Sequence, residues 1–362
     1  MGSIFFTGFP GFLGSALLPR ILHRRPAASA VCLVQPRYAG LAARRARALE
    51  AADPTLADRI RLVEGDLTVP RLGLAASDEL ARGTERIYHL AAVYDLEVSR
   101  EAGMRINVEG TRRVLEFARD CTSLDRLHYV STCYVSGRLP GTFREGDLDV
   151  GQSFGNYYEE TKYLAEVEVQ AGMREGLPAT IYRPSIVVGD SDSGATQKFD
   201  GPYHLIRLLL KQPGMAVMPV MGDPREIRIT VVPRDYLVSA IAHLSGLPGS
   251  LGKVYQLADP EPPTVDEMVD LLGRATGRRV VRVRLPAGLT KAALRRVPLF
   301  RTLTGIPPAL VDYFTHPTRY ATTNAEADLE GSGIRVPPFA SYVDRLVSFV
   351  RDHPEIDAEA MV

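Results

Sequence analysis

The sequence predicts an α/β chain: a doubly wound parallel sheet followed by a smaller, mostly helical region toward the C-terminus. Three observations predict it. Short apolar runs alternate with longer helical patterns over the first half of the chain. A glycine-rich turn, Thr7-Gly8-Phe9-Pro10-Gly11-Phe12-Leu13-Gly14, separates the first such run from the first helical pattern. After Gly189 the texture changes, and prolines become frequent. A length of 362 residues, 45% of them hydrophobic, suits one large or two modest globular domains.

Ser3 to Phe6, Ala30 to Val34, Ile60 to Val63, Ile87 to Leu90, Leu127 to Ser131 and Thr180 to Arg183 read as buried parallel strands. Each is short, largely apolar and bounded by polar or turn residues. A helix is expected from Ser15 to His23. The β-α-β order places ligands at the carboxyl ends of the strands. The polar segment Asp190 to Thr196 and the prolines 202, 213, 219, 224 and 233 mark an exit from the sheet. The chain returns once: Ile227 to Val232 is β-rich, Asp235 to Leu244 helical and Val254 to Leu257 β-like. From Pro263 onward the pattern is mostly helical.

Lys plus Arg and Asp plus Glu both number 43, so no global field favours nucleic acid or an anionic membrane. Cys32, Cys121 and Cys133 are an odd set without Cys-x-x-Cys spacing. That argues against a disulfide framework or a zinc site, leaves no metal expected and suits a reducing cytoplasm. No run approaches the roughly eighteen apolar residues of a membrane span. The apolar N-terminus lacks a basic region ahead of it and reads as a first strand rather than a signal peptide.

A Gly-rich turn between a strand and a helix is the context of a dinucleotide fingerprint. Gly8 would allow the tight turn, Gly11 the approach of a diphosphate and Gly14 close packing of helix on strand, with the diphosphate at the helix N-terminus. The spacing is Gly-x-x-Gly-x-x-Gly, not the commoner Gly-x-Gly-x-x-Gly. Residues 1–188 and 226–260 are therefore expected to form a Rossmann-type dinucleotide-binding domain, and 189–225 and 261–362 a substrate-binding domain. Where such sites often place a ribose-binding acid, this chain has Gln35, with Arg37, Arg44 and Arg45 following. Cations there suit a 2′-phosphate, so NADPH is favoured over NADH; a solvated arginine face is the alternative. Asp66 could accept from the adenine amino group or cap a turn.

Tyr158 is the only tyrosine with a lysine, Lys162, four residues later. On a helix the two share a face. An ammonium close to a phenol lowers its pKa from roughly 10, toward proton exchange with a carbonyl oxygen. Thr132, at the end of a predicted strand, could hold that oxygen beside Tyr158, with Ser131 as runner-up. The Asn107 amide could hold a water linking Lys162 to solvent, or be an ordinary helix position.

Thr7-Gly8-x-x-Gly11-x-x-Gly14, His89-Leu90-Ala91-Ala92, Asn107-Val108-Glu109-Gly110-Thr111, Val130-Ser131-Thr132, Tyr158-x-x-x-Lys162 and Tyr182-Arg183-Pro184-Ser185 together resemble the motif series of extended short-chain dehydrogenase/reductases. His89 to Asp95, Asp200-Gly201-Pro202-Tyr203 and His316-Pro317-Thr318-Arg319-Tyr320 are similar to reductase domains of bacterial fatty acyl-CoA reductases and carrier-protein thioester reductases. The resemblance implies NADPH, a catalytic set of Thr132, Tyr158 and Lys162 assisted by Asn107, and a thioester substrate. It also implies cofactor contacts at Thr7, Phe12, Leu13, Leu67, Ala91 and Pro184-Ser185-Ile186, and substrate contacts at Tyr94 and Tyr203. Relatives often carry Arg where this chain has Gln35.

The expected reaction is reduction of an acyl thioester to an aldehyde, with the alcohol as a further product. A reductase or epimerase acting on a free carbonyl or alcohol is the alternative, and a non-catalytic nucleotide-binding protein the second. With no carrier module ahead of the Gly turn, the thioester is expected from solution or on an acyl carrier protein in trans. Leu285 to Tyr313 combines apolar residues with Lys291, Arg295, Arg296 and Arg301, which suggests either an acyl tunnel with a phosphate-binding rim or an ordinary amphipathic lid.

Overall fold

The computed structural model describes residues 2–286, 288, 290, 292, 308 and 310–356. The proposed tunnel residues Leu289, Lys291, Leu294, Arg295, Arg296, Val297, Leu299, Phe300, Arg301, Leu303 and Ile306 lie outside the described residues.

Seven parallel strands form the main sheet: β1 (Ser3–Thr7), β2 (Ser29–Val34), β3 (Ile60–Glu64), β4 (Thr84–His89), β5 (Arg126–Val130), β7 (Ala179–Pro184) and β11 (Val254–Leu257). The chain forms a short β6 (Gly141–Phe143) and β8 (Ile186–Val188) between and beside them, then β9 (Met215–Val220) and β10 (Val231–Pro233). The sheet order is β3-β2-β1-β4-β5-β7-β11. The direction of winding reverses between β1 and β4, which opens a crevice at their carboxyl ends. All six strands expected in the first half are present within one to three residues of the predicted bounds.

Apolar side chains at these strands enter two cores, one on each face of the sheet. Phe6, Leu17, Leu18 and Ile21 lie on one side, and Phe5, Ile87, Leu127 and Ile181 on the other. Full burial of each such side chain contributes about 1.5–3 kcal/mol. A further core gathers Phe199, Ile206, Met218, Leu272, Val311 and Leu346 from the later part of the chain.

Two departures from the sequence reading have local causes. The first helix runs Phe12–Arg24, starting three residues early, because the Gly turn feeds it directly. Only Val231 and Val232 of the β-rich run 227–232 are strand: they belong to β10, which pairs with β8, while Arg228 makes an isolated bridge to Thr264.

The outer side of β11 is covered by distant segments. Glu145 accepts from the backbone N of Gln256 (3.2 Å), Asn324 (2.7 Å) and Ala325 (3.3 Å). Gln256 donates to the Phe143 and Ala321 carbonyls, and Asp328 accepts from Lys253 and Tyr255.

Candidate active site

A cleft of about 390 Å³ opens at the carboxyl ends of β1, β4 and β5. Its near wall is the Gly turn. Gly8 has φ +93°, and a Cβ there would meet the Ala91 nitrogen at 2.9 Å. A Cβ on Gly14 would lie 2.3 Å from the Gly8 carbonyl oxygen. Only glycine lets helix and strand approach this closely. Gly11 caps the helix Phe12–Arg24 without a side-chain hydrogen bond, and the first turn carries no acid. Its amide N–H groups thus remain available to an anion.

Thr7, Phe12, Leu13, Asp66, Leu67 and Ala91 also line this end. Arg37 donates through Nε to Gln35 Oε1 at 2.9 Å, and Gln35 Nε2 donates to Asp66 Oδ2 at 3.2 Å. Asp66 Oδ1 also accepts from Thr68 N at 2.7 Å, so this carboxylate caps a turn and can still face the cleft. Arg44 lies on the helix Ala39–Ala52 with its side chain exposed and outside the cleft lining, since only Ala42 and Ala46 of that helix turn to the core.

The catalytic candidates meet on the floor. The helix Tyr157–Arg174 starts at Asn156, whose side chain accepts from Glu159 N at 3.0 Å. Its second residue, Tyr158, is buried against Thr132, whose hydroxyl donates to the Pro184 carbonyl at 3.3 Å. Burial pushes the Tyr158 phenol well above its ordinary value, and the Thr132 contact opposes that only partly. The phenol is therefore protonated at neutral pH.

Lys162 shares the cleft with Tyr158, and its hydrogen bonds go to β5. Its Nζ donates to Tyr129 Oη and to the Val130 carbonyl, both at 2.9 Å, and lies 4.5 Å from the centre of the Tyr129 ring. A buried ammonium needs acceptors, and the end of β5 supplies two. Burial draws the Lys162 pKa down to about 7, while the Glu166 carboxylate one turn along pulls it upward.

Ser131 reaches the cleft, but its hydroxyl donates to Glu166 Oε2 at 2.5 Å, so its hydrogen is not free for a carbonyl oxygen. Glu166 is fully buried and paired with the equally buried Arg183 at 2.6 Å. Asn107 sits in a π-helical stretch, Met104–Glu109, with both amide ends hydrogen-bonded: Oδ1 accepts from Val93 N at 2.9 Å, and Nδ2 donates to Thr161 Oγ1 at 3.1 Å. Asn107 therefore fixes the loop that carries Ala91 and Tyr94 into the cleft.

The far wall was mostly invisible in the sequence. Pro184, Ser185 and Ile186 line it as expected, and Tyr94 meets Tyr158 edge-on at 5.0 Å. Lys198 was missed: its Nζ lies 4.9 Å from the Tyr94 ring centre and 2.9 Å from the Asp200 carboxylate. Tyr134 and Tyr313 were also missed. The Asp200-Gly201-Pro202-Tyr203 segment was noted only for its likeness, and it is Asp200 that reaches the cleft. Tyr203 turns inward and accepts from Gly189 N at 2.8 Å, away from any substrate.

A family model described as Male sterility protein, a NAD-binding domain, matches residues 6–241. The crystal structure of the terminal R domain from the myxalamid PKS-NRPS biosynthetic pathway superimposes with a TM-score of 0.81 at 28% identity, covering 99% of this chain and 92% of that one. A linear gramicidin synthase protein of Brevibacillus parabrevis is 31% identical over 277 residues, 73% of this chain and 5% of that protein. Aldehyde reductase lnbA of Aspergillus flavus is 28% identical over 300 residues, 77% of this chain and 29% of that protein. The chain thus spans less than a third of the length of either curated relative.

Proposed function

Because the chain belongs to the Male sterility protein family and has the extended short-chain dehydrogenase/reductase fold of an NAD(P)-dependent oxidoreductase, we propose that it reduces an acyl thioester to an aldehyde with NADPH. The observation that carries this reading is the protonated, buried Tyr158 against Thr132 on the floor of a cleft whose other wall is an anion-ready Gly turn. The likeness to the myxalamid R domain, at 28% identity over 99% of the chain, supports a thioester rather than a free ketone.

The residues fit a dinucleotide. The Gly turn and the helix N-terminus at Phe12 would hold its diphosphate, Arg37 a 2′-phosphate, and Pro184 to Ile186 the nicotinamide ring. When bound, the dinucleotide supplies the hydride. Thr132, turning its hydroxyl from the long 3.3 Å bond to the Pro184 carbonyl, and Tyr158 would hold the substrate carbonyl oxygen and meet the negative charge that develops on it. Tyr158, which burial keeps protonated, then gives its proton to that oxygen. Collapse of the resulting hemithioacetal releases thiol and leaves the aldehyde. Lys162 would leave Tyr129 for the nicotinamide ribose, and a proton from solvent would restore Tyr158.

Residues 1–188 with 226–260 would form the nucleotide half and the remainder the substrate half. A carrier protein is the proposed donor of the acyl group. The test is NADPH oxidation with a panel of acyl-CoAs, carrier-bound acyl groups and free aldehydes, with thiol release measured in parallel. Thiol release matched to NADPH use is expected. Turnover of ketones or aldehydes alone, with no thioester consumed, would sink the thioester reading.

A further inference from the structure

A row of buried polar side chains runs behind the cleft from the Gly turn to Lys162. Thr7 Oγ1 accepts from Ala91 N at 3.2 Å and lies 2.8 Å from His89 Nδ1. His89 Nε2 is 3.1 Å from Thr111 Oγ1. The Thr111 hydroxyl faces the Tyr129 phenol, which accepts from Lys162 Nζ at 2.9 Å. None of the five side chains belongs to a residue more than 3% exposed. The His89 and Tyr129 rings are 5.6 Å apart.

Burial, reinforced by the Lys162 charge, draws the His89 pKa down to about 3, so its ring is neutral and carries one N–H. One ring nitrogen therefore donates and the other accepts, and in either tautomer His89 links Thr7 to Thr111. Hydrogen-bonded groups in a row polarise one another, and this row reaches the oxygen that receives Lys162.

We propose that Tyr129, backed by Thr111 and His89, is a positioning residue for Lys162: it holds the ammonium charged and clear of Tyr158 until a ribose hydroxyl takes its place. The inference rests on Lys162 serving the reaction proposed above. The groups facing Lys162 are Tyr129 and the Val130 carbonyl from β5, His89 from β4, and Tyr158 and Glu166 from its own helix, with Arg183 of β7 behind Glu166. Of the last two, the carboxylate favours the charged lysine, and Arg183 mutes it. Tyr129 is the neutral acceptor whose loss leaves this ion pair intact.

The chain has five lysines, so the Lys162 13Cε resonance can be assigned by substitution and titrated in the cofactor-free protein. Tyr129→Phe keeps the ring under the ammonium and removes the acceptor. Its Lys162 midpoint should fall by about one to two pH units, the worth of a hydrogen bond to a charged group. The alkaline limb of kcat/KM should move down with it. Thr111→Val should move both in the same direction by less, and it decides the question if Tyr129→Phe does not fold. An unchanged Lys162 midpoint in a folded variant, with only Tm lowered, would overturn the proposal. A wild-type protein that oxidises NADPH with no carbonyl compound would remove the functional reading instead, and the titration would still decide the Tyr129 contact.

Discussion

The wall of the cleft at the Gly turn is made largely of backbone, whereas the opposite wall is made of side chains drawn from residues 94, 134, 196–198, 200 and 313. The first wall is local, and its geometry tolerates almost no substitution. The second is assembled at long range, and its members hold one another through ring and charge contacts. In the function proposed above, cofactor binding thus rests on shape, and choice of substrate on exchangeable side chains.

That contrast can be broken most severely at Gly14. Gly14→Val should abolish NADPH binding, measured by fluorescence titration, because the added atoms would overlap the Gly8 carbonyl oxygen. Tyr158→Phe keeps both walls and removes the proton. It should lower kcat by about 100- to 10,000-fold, the range for loss of a general acid, with the NADPH Kd unchanged.

Arg37→Ala tests the far end of the backbone wall. It should raise the Kd for NADPH by about 10- to 100-fold, as expected for a charged hydrogen bond, and leave that for NADH alone. Arg44→Ala, outside the cleft, should change neither.

Lys162 gives a stability readout. A lysine whose folded pKa is about 7, below its ordinary 10.5, binds fewer protons than the unfolded chain between those values. Urea unfolding should therefore show stability rising through that window by about 1.4 kcal/mol per pH unit at most, relative to Lys162→Met. The smallest effect is expected at the side-chain wall: Lys198→Met should raise the thioester KM by about two- to fivefold, the worth of one cation–π contact, with kcat kept.

Sequence reasoning saw the backbone wall because its chemistry is contiguous. Strand, glycines and helix follow one another in eight residues, and Tyr158 and Lys162 lie one turn apart. It misjudged what those residues touch. Lys162 bonds Tyr129, which in the sequence is one apolar-looking position inside a strand. Asn107 and Tyr203 lie in recognisable motifs, yet their polar atoms are consumed by Val93, Thr161 and Gly189. Lys198 gave no local signal, because its meaning comes from Tyr94, a hundred residues earlier.

The clasp on β11 separates the order of synthesis from the order of assembly. All seven strands of the nucleotide sheet have been made once Leu257 leaves the ribosome. The groups that seal the outer strand against Glu145 and Gln256 come from residues 321–325, and Asp328 follows them. Until those residues emerge, the nascent sheet carries an uncovered edge, the kind of surface that pairs with other chains. Nascent protein is therefore most prone to self-association late in translation, after the cofactor fold has been spelled out and before its last strand is covered.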